Sequence, residues 1–284
     1  MNLLGAHMSI AGGIHNAIDR GAELGCTAIQ IFVKSSKRLF GKPMDNEAIE
    51  QWYLKMEGTN KPKHNIQRVL VHAGYLINIA SPENEKWEKY IEALADEMLR
   101  CEILGISNII IHPGSPGDKG EKWGINRVAQ ALDRLYNSYD IKVNIALENT
   151  AGMGYQLGWC FEHMHDIISS MKCNENIGIV LDTCHTFAAG YEFATEKSYE
   201  RTWTKFDDII GFNRLVALHL NDSRYPYASR KDHHAHIGRG FMGIEPFRLI
   251  MCDERLKKLP KIIETPKEND WDRKNLKLLR ELAK

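Results

Sequence analysis

The sequence predicts a (β/α)8 TIM barrel of the α/β class, and three observations predict it. Short β-branched apolar runs recur eight times, each followed by a longer amphipathic stretch. Such continuous runs fit strands buried on both faces, as in a parallel sheet. No shift of composition divides the 284 residues, a normal length for one barrel, so residues 1–284 are expected to form a single domain. A doubly wound open sheet is the alternative, but no glycine-rich nucleotide fingerprint follows the first run.

The predicted strands are Leu3 to Met8, Ala28 to Val33, Val69 to His72 and Asn108 to His112. Val143 to Glu148, Ile177 to Asp182, Leu215 to Leu220 and Lys261 to Glu264 complete the set. Between them, Asn84 to Leu104 carries apolar residues at 87, 91, 94, 98 and 101, the spacing of one helical face. Gly105, tolerant of positive φ, is placed to end that helix. Further helices are predicted over roughly 45–57, 121–137, 158–171, 196–210, 244–252 and 270–283.

Composition narrows the classes. At 43% hydrophobic and 26% charged the chain is globular, not disordered. It has no apolar run long enough to span a membrane. Its start, Met1-Asn2-Leu3-Leu4-Gly5, lacks the pattern of a secretory signal, so an intracellular protein is expected, in cytoplasm, nucleus or virion. The six cysteines form no C-x-x-C pair and read as reduced, mostly buried residues. Lysine plus arginine equals aspartate plus glutamate at 37 each, so a nucleic-acid partner requires a local basic surface.

Active sites of such barrels lie at the C-terminal ends of the strands. Strands three to eight end at His72, His112, Glu148, Asp182, His219 and Glu264. A lone strand-end histidine is more often satisfied by backbone than a ligand, and a strand-end carboxylate can equally cap the next helix. Six together are different, because buried carboxylates ringed by imidazoles need a cation or extensive pairing. The mixed N/O set suits zinc or manganese and favours zinc. His185 adds an imidazole three residues past Asp182, and Asp232-His233-His234-Ala235-His236 adds a carboxylate among three more, so two or three ions are implied. His15, His64, His163 and His165 read as solvated surface, His7 as support for the ligands, and Cys184 as a packing residue.

Longer motifs extend this pattern. The chain opens with Gly5-Ala6-His7-Met8-Ser9 and Gly12-Gly13, then carries His72-Ala73-Gly74-Tyr75-Leu76-Ile77-Asn78-Ile79-Ala80. Leu181-Asp182-Thr183-Cys184-His185-Thr186-Phe187-Ala188-Ala189-Gly190 follows. Last come His219-Leu220-Asn221-Asp222-Ser223-Arg224 and Ser229-Arg230-Lys231-Asp232-His233-His234. In order and spacing these resemble the endonuclease IV family, the class II apurinic/apyrimidinic endonucleases, over nearly the whole chain. The resemblance implies a trinuclear zinc site, with manganese compatible at one or more positions. His72 and His112 would hold one ion, and Glu148 would bridge it to a second. Asp182, His219 and Glu264 would complete the second, while His185, Asp232 and His234 would hold the third. It implies hydrolysis of the phosphodiester 5′ to abasic sites in duplex DNA, with metal-bound hydroxide as nucleophile, leaving a 3′-hydroxyl and a 5′-deoxyribose phosphate.

DNA must reach the barrel mouth, and basic residues gather on the loops there: Lys34, Lys37, Arg38 and Lys42 after strand two, Lys119 and Lys122 after strand four. Arg224, Arg230 and Lys231 follow strand seven. The family often places an arginine and a glutamine after strand two, where this chain has Ser35, Ser36, Lys37 and Arg38, so the arginine's role falls to Lys37 or Arg38. Tyr75 and Leu76 either pack on the rim or, as the resemblance implies, wedge into the duplex where the abasic nucleotide is flipped out. A monomer is the expectation for a barrel that docks its mouth on DNA. Two rival classes remain. Sugar isomerases and epimerases use this barrel with fewer metals and have no use for His185, Asp232 and His234 together. A non-catalytic zinc-dependent DNA-binding protein would bind abasic DNA without cutting it.

Overall fold

The structure is a computed structural model describing residues 2–58 and 65–284. Seven strands run in parallel succession: β1 (Leu4–His7), β2 (Ala28–Ile31), β3 (Arg68–His72), β4 (Asn108–Ile111), β5 (Asn144–Glu148), β6 (Ile177–Asp182) and β7 (Leu215–His219). After β7 the chain forms a short antiparallel ribbon of β8 (Asp222–Ser223) and β9 (His234–Ala235). β10 (Lys261–Ile263) then pairs with both β1 and β7 and closes the barrel. Each barrel strand lies within two residues of its predicted bounds.

The helices are α1 (Asn16–Glu23), α2 (Asn46–Gly58), α3 (Asn84–Ile103), α4 (Glu121–Ser138) and α5 (Phe161–Ser170). α6 (Thr183–Ala189), α7 (Glu196–Ile209), α8 (Glu245–Cys252) and α9 (Trp271–Leu282) follow. Trp87, Ile91, Leu94, Met98 and Cys101 of α3 are all buried, and Gly105 ends that segment at φ 67°. α5 starts later than the sequence pattern suggested, because Gly158 holds a turn at φ 84° ahead of it. α1 and α6 have no delimited counterpart in the sequence pattern; each spans about two turns, too short for a clear apolar period. No helix among the described residues is long and apolar enough to cross a membrane.

Alternation along the strands decides what fills the barrel. Side chains of a strand point to one face every second residue. Ala28, Leu70, Ile110, Ala146, Val180, Ala217 and Ile262 turn inward and form one apolar layer. Two residues further along, on the same inward face, stand Gln30, His72, His112, Glu148, Asp182, His219 and Glu264. A polar layer therefore lies directly on the apolar one, at the C-terminal mouth. The intervening residues, such as Ile29, Ile109, Ile145 and Ile179, face outward into the larger core beneath the helices. At the opposite end, the buried Lys261 ammonium donates to the Leu256 and Leu259 carbonyls at 2.5 and 3.3 Å and to Asn2 Oδ1 at 3.3 Å.

Candidate metal centre

The polar layer is best understood through its imidazole tautomers. His72 Nδ1 donates to the Ala73 carbonyl at 2.7 Å, which leaves the Nε2 lone pair facing Glu148 Oε2 at 3.1 Å. His185 Nδ1 donates to the Asn149 carbonyl at 2.9 Å, leaving Nε2 at 3.0 Å from Asp232 Oδ1. His234 Nδ1 donates to the Glu264 carbonyl at 3.2 Å, and its Nε2 lies 3.5 Å from Asp232 Oδ1 and 3.7 Å from Asp182 Oδ2. His219 is turned the other way. Its Nε2 donates to the Gln30 amide oxygen at 2.7 Å, and Nδ1 faces Glu148 Oε1 at 2.8 Å and Glu264 Oε2 at 3.2 Å.

In each case the nitrogen aimed at a carboxylate is the one without a proton in the neutral ring. A lone pair facing a carboxylate oxygen is repulsive unless a proton or a metal ion lies between them. His185 Nε2 and His234 Nε2 are buried and have no hydrogen-bond partner among the described residues. The donor atoms fall into compact groups, each with its atoms within 4.8 Å of one another: His72, His112 and Glu148; Glu148, Asp182, His219 and Glu264; and His185, Asp232 and His234. Glu148 belongs to two of them. Cys184 also reaches Asp182 and His234 within that distance, while its thiol donates to the His233 carbonyl at 3.7 Å.

Electrostatics shows the same demand for positive charge. Burial alone would push the His219 imidazole down, but the Glu148 and Glu264 carboxylates overturn this and hold it up at about 9. Burial would raise the Glu148 carboxyl, yet His219 and His112 together hold it well below the usual range. By the chemistry and placement of their donors these residues could hold divalent cations.

Local sequence explains how each donor is aimed. Asp182 ends β6 and caps α6, accepting from His185 N–H at 2.8 Å, so strand end and helix start present both residues at once. The left-handed residues Ala228 and Arg230, at φ 57° and 55°, turn the next loop and bring Asp232 beneath His185. Two supporting residues escaped the sequence reading. Gln30 donates to Glu264 Oε1 at 2.6 Å while it orients His219, and its amide lies 3.0 Å from His7 Nδ1. Asn221 donates to Asp182 Oδ2 at 2.6 Å and accepts from Glu264 N–H at 2.8 Å. The signal for Gln30 was present: it stands two residues after the inward-facing Ala28.

The rim is only partly as expected. Lys37, Arg38, Lys42, Lys119, Arg224 and Lys231 are exposed on loops of the mouth, whereas Lys122, expected on the loop after strand four, is exposed on the first turn of α4. Lys34 departs from the sequence expectation: it is buried and paired with Glu97 at 2.7 Å, because α3 brings a carboxylate against it. Arg230 is half-buried with its guanidinium 3.6 Å above the Trp159 ring. Tyr75 and Leu76 are 67% and 48% exposed, so they do not pack away on the rim, although Tyr75 touches Phe32 edge-on. His163 is buried against Trp159 and Glu121, not solvated as the sequence suggested, because Gly158 N–H donates to its Nδ1. His15 is half-buried, His165 is exposed, and His64 lies outside the described residues.

Comparison with known proteins agrees with this geometry. Residues 18–282 match the family described as Xylose isomerase-like TIM barrel. The "Probable endonuclease 4" of Citrifermentans bemidjiense is 43% identical over 286 residues, covering 100% of this chain and 99% of the relative. The crystal structure of endonuclease IV from Thermus thermophilus superposes with a TM-score of 0.84 at 32% identity, covering 98% of each chain. A D-tagatose 3-epimerase-like protein, at 21% identity and a TM-score of 0.72 over 98% of this chain and 96% of its own, shares the fold alone. With the full-length identity and the strand-end donor set in agreement, the chain belongs to the endonuclease IV family.

Proposed function

We propose that this protein is a DNA-cleaving hydrolase that cuts duplex DNA at abasic sites in a base-excision repair role, using three zinc ions. The bond hydrolysed is the phosphodiester 5′ to the lesion, with a 3′-hydroxyl and a 5′-deoxyribose phosphate as products. The observation that carries this reading is the set of imidazole lone pairs facing carboxylates with their other nitrogens already donating. His72, His112 and Glu148 would hold one ion, Glu148, Asp182, His219 and Glu264 a second, and His185, Asp232 and His234 a third. When bound, the ions supply Lewis acidity that activates water at neutral pH and offsets charge on the phosphate oxygens. The same donors tolerate manganese.

The protein's own residues do the rest. Glu148 belongs to two donor groups and fixes their spacing. Gln30 and Asn221 hold His219, Asp182 and Glu264 in orientation. The exposed cations Lys37, Arg38 and Arg224, with Arg230 behind them, would track the phosphate backbone. Tyr75 and Leu76, displayed beside His72, would enter the stack and keep the abasic nucleotide extrahelical. Residues 1–284 would act as one unit and as a monomer. A sugar isomerase is disfavoured by the third donor group, for which isomerisation has no use.

The test is incision of a duplex oligonucleotide with one abasic site by zinc-loaded protein and by Glu148→Ala. The expected result is a single cut immediately 5′ to the lesion, lost in the variant along with bound zinc measured by elemental analysis. A folded, zinc-replete protein that leaves the duplex intact would refute it.

A further inference from the structure

Beside the mouth, a cleft of about 330 Å³ is lined by Arg224, Ala235, His236, Arg239, Phe241 and Pro266. Its position follows from the chain: Ala235 lies in β9 next to His234, and Pro266 is two residues past Glu264. Two of its lining residues thus lie one and two positions along the chain from members of the third and second donor groups. His236 is stiffened by stacking on Trp271, with ring centroids 4.0 Å apart and planes 11° from parallel.

Two of its walls are unusual for a chain of zero net charge. The Arg224 and Arg239 side chains are exposed, and neither finds a hydrogen-bond or ion-pair partner among the described residues. Other arginines, such as Arg100, Arg134 and Arg255, each bind a carboxylate. Phe241 is 62% exposed, yet its loop is held firmly. Its N–H donates to the Ser223 carbonyl at 2.8 Å, and the N–H groups on either side, Gly240 and Met242, donate to the buried Asp222 carboxylate at 2.8 and 3.0 Å. Gly240 is required there, since a Cβ would stand 2.2 Å from the Ser223 carbonyl oxygen. A large apolar ring displayed on a preorganised loop, in a cleft that two free guanidiniums also line, suits a ligand with a planar face and a phosphate.

The geometry points to a nucleotide subsite: this cleft takes one nucleotide of the substrate DNA flanking the abasic position, its phosphate on Arg224 and Arg239 and its base or sugar against Phe241. The subsite rests on the nuclease reading of the mouth and adds to it a contact outside the metal centre and the wedge. Stacking on one aromatic ring changes affinity by about tenfold. Each guanidinium on a phosphate adds about one to the slope of log affinity against log salt.

The experiment is steady-state cleavage by the zinc-loaded protein, Phe241→Ala, Phe241→Trp and Arg239→Gln. Substrates are a long duplex with a central abasic site and duplexes whose flank is trimmed to a few nucleotides on one side or the other. Phe241→Ala and Arg239→Gln should each raise KM about tenfold on the long duplex with kcat unchanged, Phe241→Trp should restore KM, and Arg239→Gln should lower the salt slope by about one. Trimming the flank that fills the cleft should erase the difference between wild type and variants, while trimming the other side should not. Unchanged KM in both variants, with a wild type that cuts, would overturn the subsite alone. A raised KM that persists whichever flank is trimmed would overturn it too, since the change would then act through the mouth. No cutting by the zinc-loaded wild type would overturn the nuclease reading and the subsite with it.

Discussion

Glu97→Gln removes one charge of the buried pair that joins two loops of the mouth. Glu97 Oε1 lies 2.7 Å from Lys34 Nζ, and both carboxylate oxygens accept from Gly74 N–H at 3.1 Å. Lys34 Nζ also donates to the Arg38 carbonyl at 2.7 Å. The carboxylate on α3 thus ties the segment carrying Lys37 and Arg38 to the one carrying Tyr75 and Leu76. With side-chain exposures of 4% for Lys34 and 1% for Glu97, water cannot replace the lost partner. Breaking one side of such a pair costs about 3–5 kcal/mol. The substituted amide would keep an acceptor for Gly74, and the Arg38 carbonyl would still solvate the ammonium, so the lower end is expected, about 3 kcal/mol. For a chain of this size that lowers Tm by roughly 6 °C. Adding Lys34→Met removes the orphaned charge and should recover all but about 1 kcal/mol, since apolar replacement of a buried pair is often neutral. The assay is urea unfolding followed by fluorescence, with abasic-duplex KM measured alongside. KM should rise in both variants because the link from the Lys37–Arg38 segment through Lys34 to Glu97 on α3 is lost either way. A loss under about 1 kcal/mol in Glu97→Gln, or a double variant no more stable than the single one, would refute this account.

Three other substitutions are informative. Gln30→Leu removes the acceptor that fixes the His219 tautomer and the donor to Glu264, and should weaken metal retention about 10–100-fold, read by competition with a chromogenic chelator. Unaltered retention would mean that Gln30 orients nothing. In Gly5→Ala, the new Cβ would fall 1.6 Å from the Ala28 carbonyl oxygen on β2, so the barrel should fail to close and the protein should be recovered only in inclusion bodies. Soluble, folded Gly5→Ala would contradict the β1–β2 register. Burial pushes the Lys261 ammonium down to about 8 from an ordinary 10.5, so between those values the unfolded chain binds the extra proton. Its burden on the fold, at most about 3 kcal/mol, is fully present below pH 8 and is relieved as pH rises towards 10.5. Relative to Lys261→Met, the wild type should gain stability over that window in urea titrations; a constant difference would exclude the shift.

The strands were readable because each is buried on both faces, so its apolar run is continuous and bounded on either side. The donor set was readable because it ends those strands, where a barrel builds its site. α6 and the ribbon of β8 and β9 left no such mark. They are short, and they are ordered by contacts from elsewhere, as when Asp222 of β8 accepts from Gly240 and Met242. Lys34 shows the same limit: a lysine in a basic loop looks like a phosphate contact until α3 supplies Glu97.

By itself, then, the sequence determined the eightfold alternation and the identity of the polar residues that end the strands. These are properties of the local sequence, since a strand buried on both faces is a continuous apolar run. Only the tertiary structure decided which nitrogen of each histidine faces the centre, that Gln30 and Asn221 hold His219, Asp182 and Glu264, and that Phe241 stands exposed in a cleft with two free arginines. Those depend on groups far apart in the chain, such as Gln30 and Glu264, which meet only when the barrel closes.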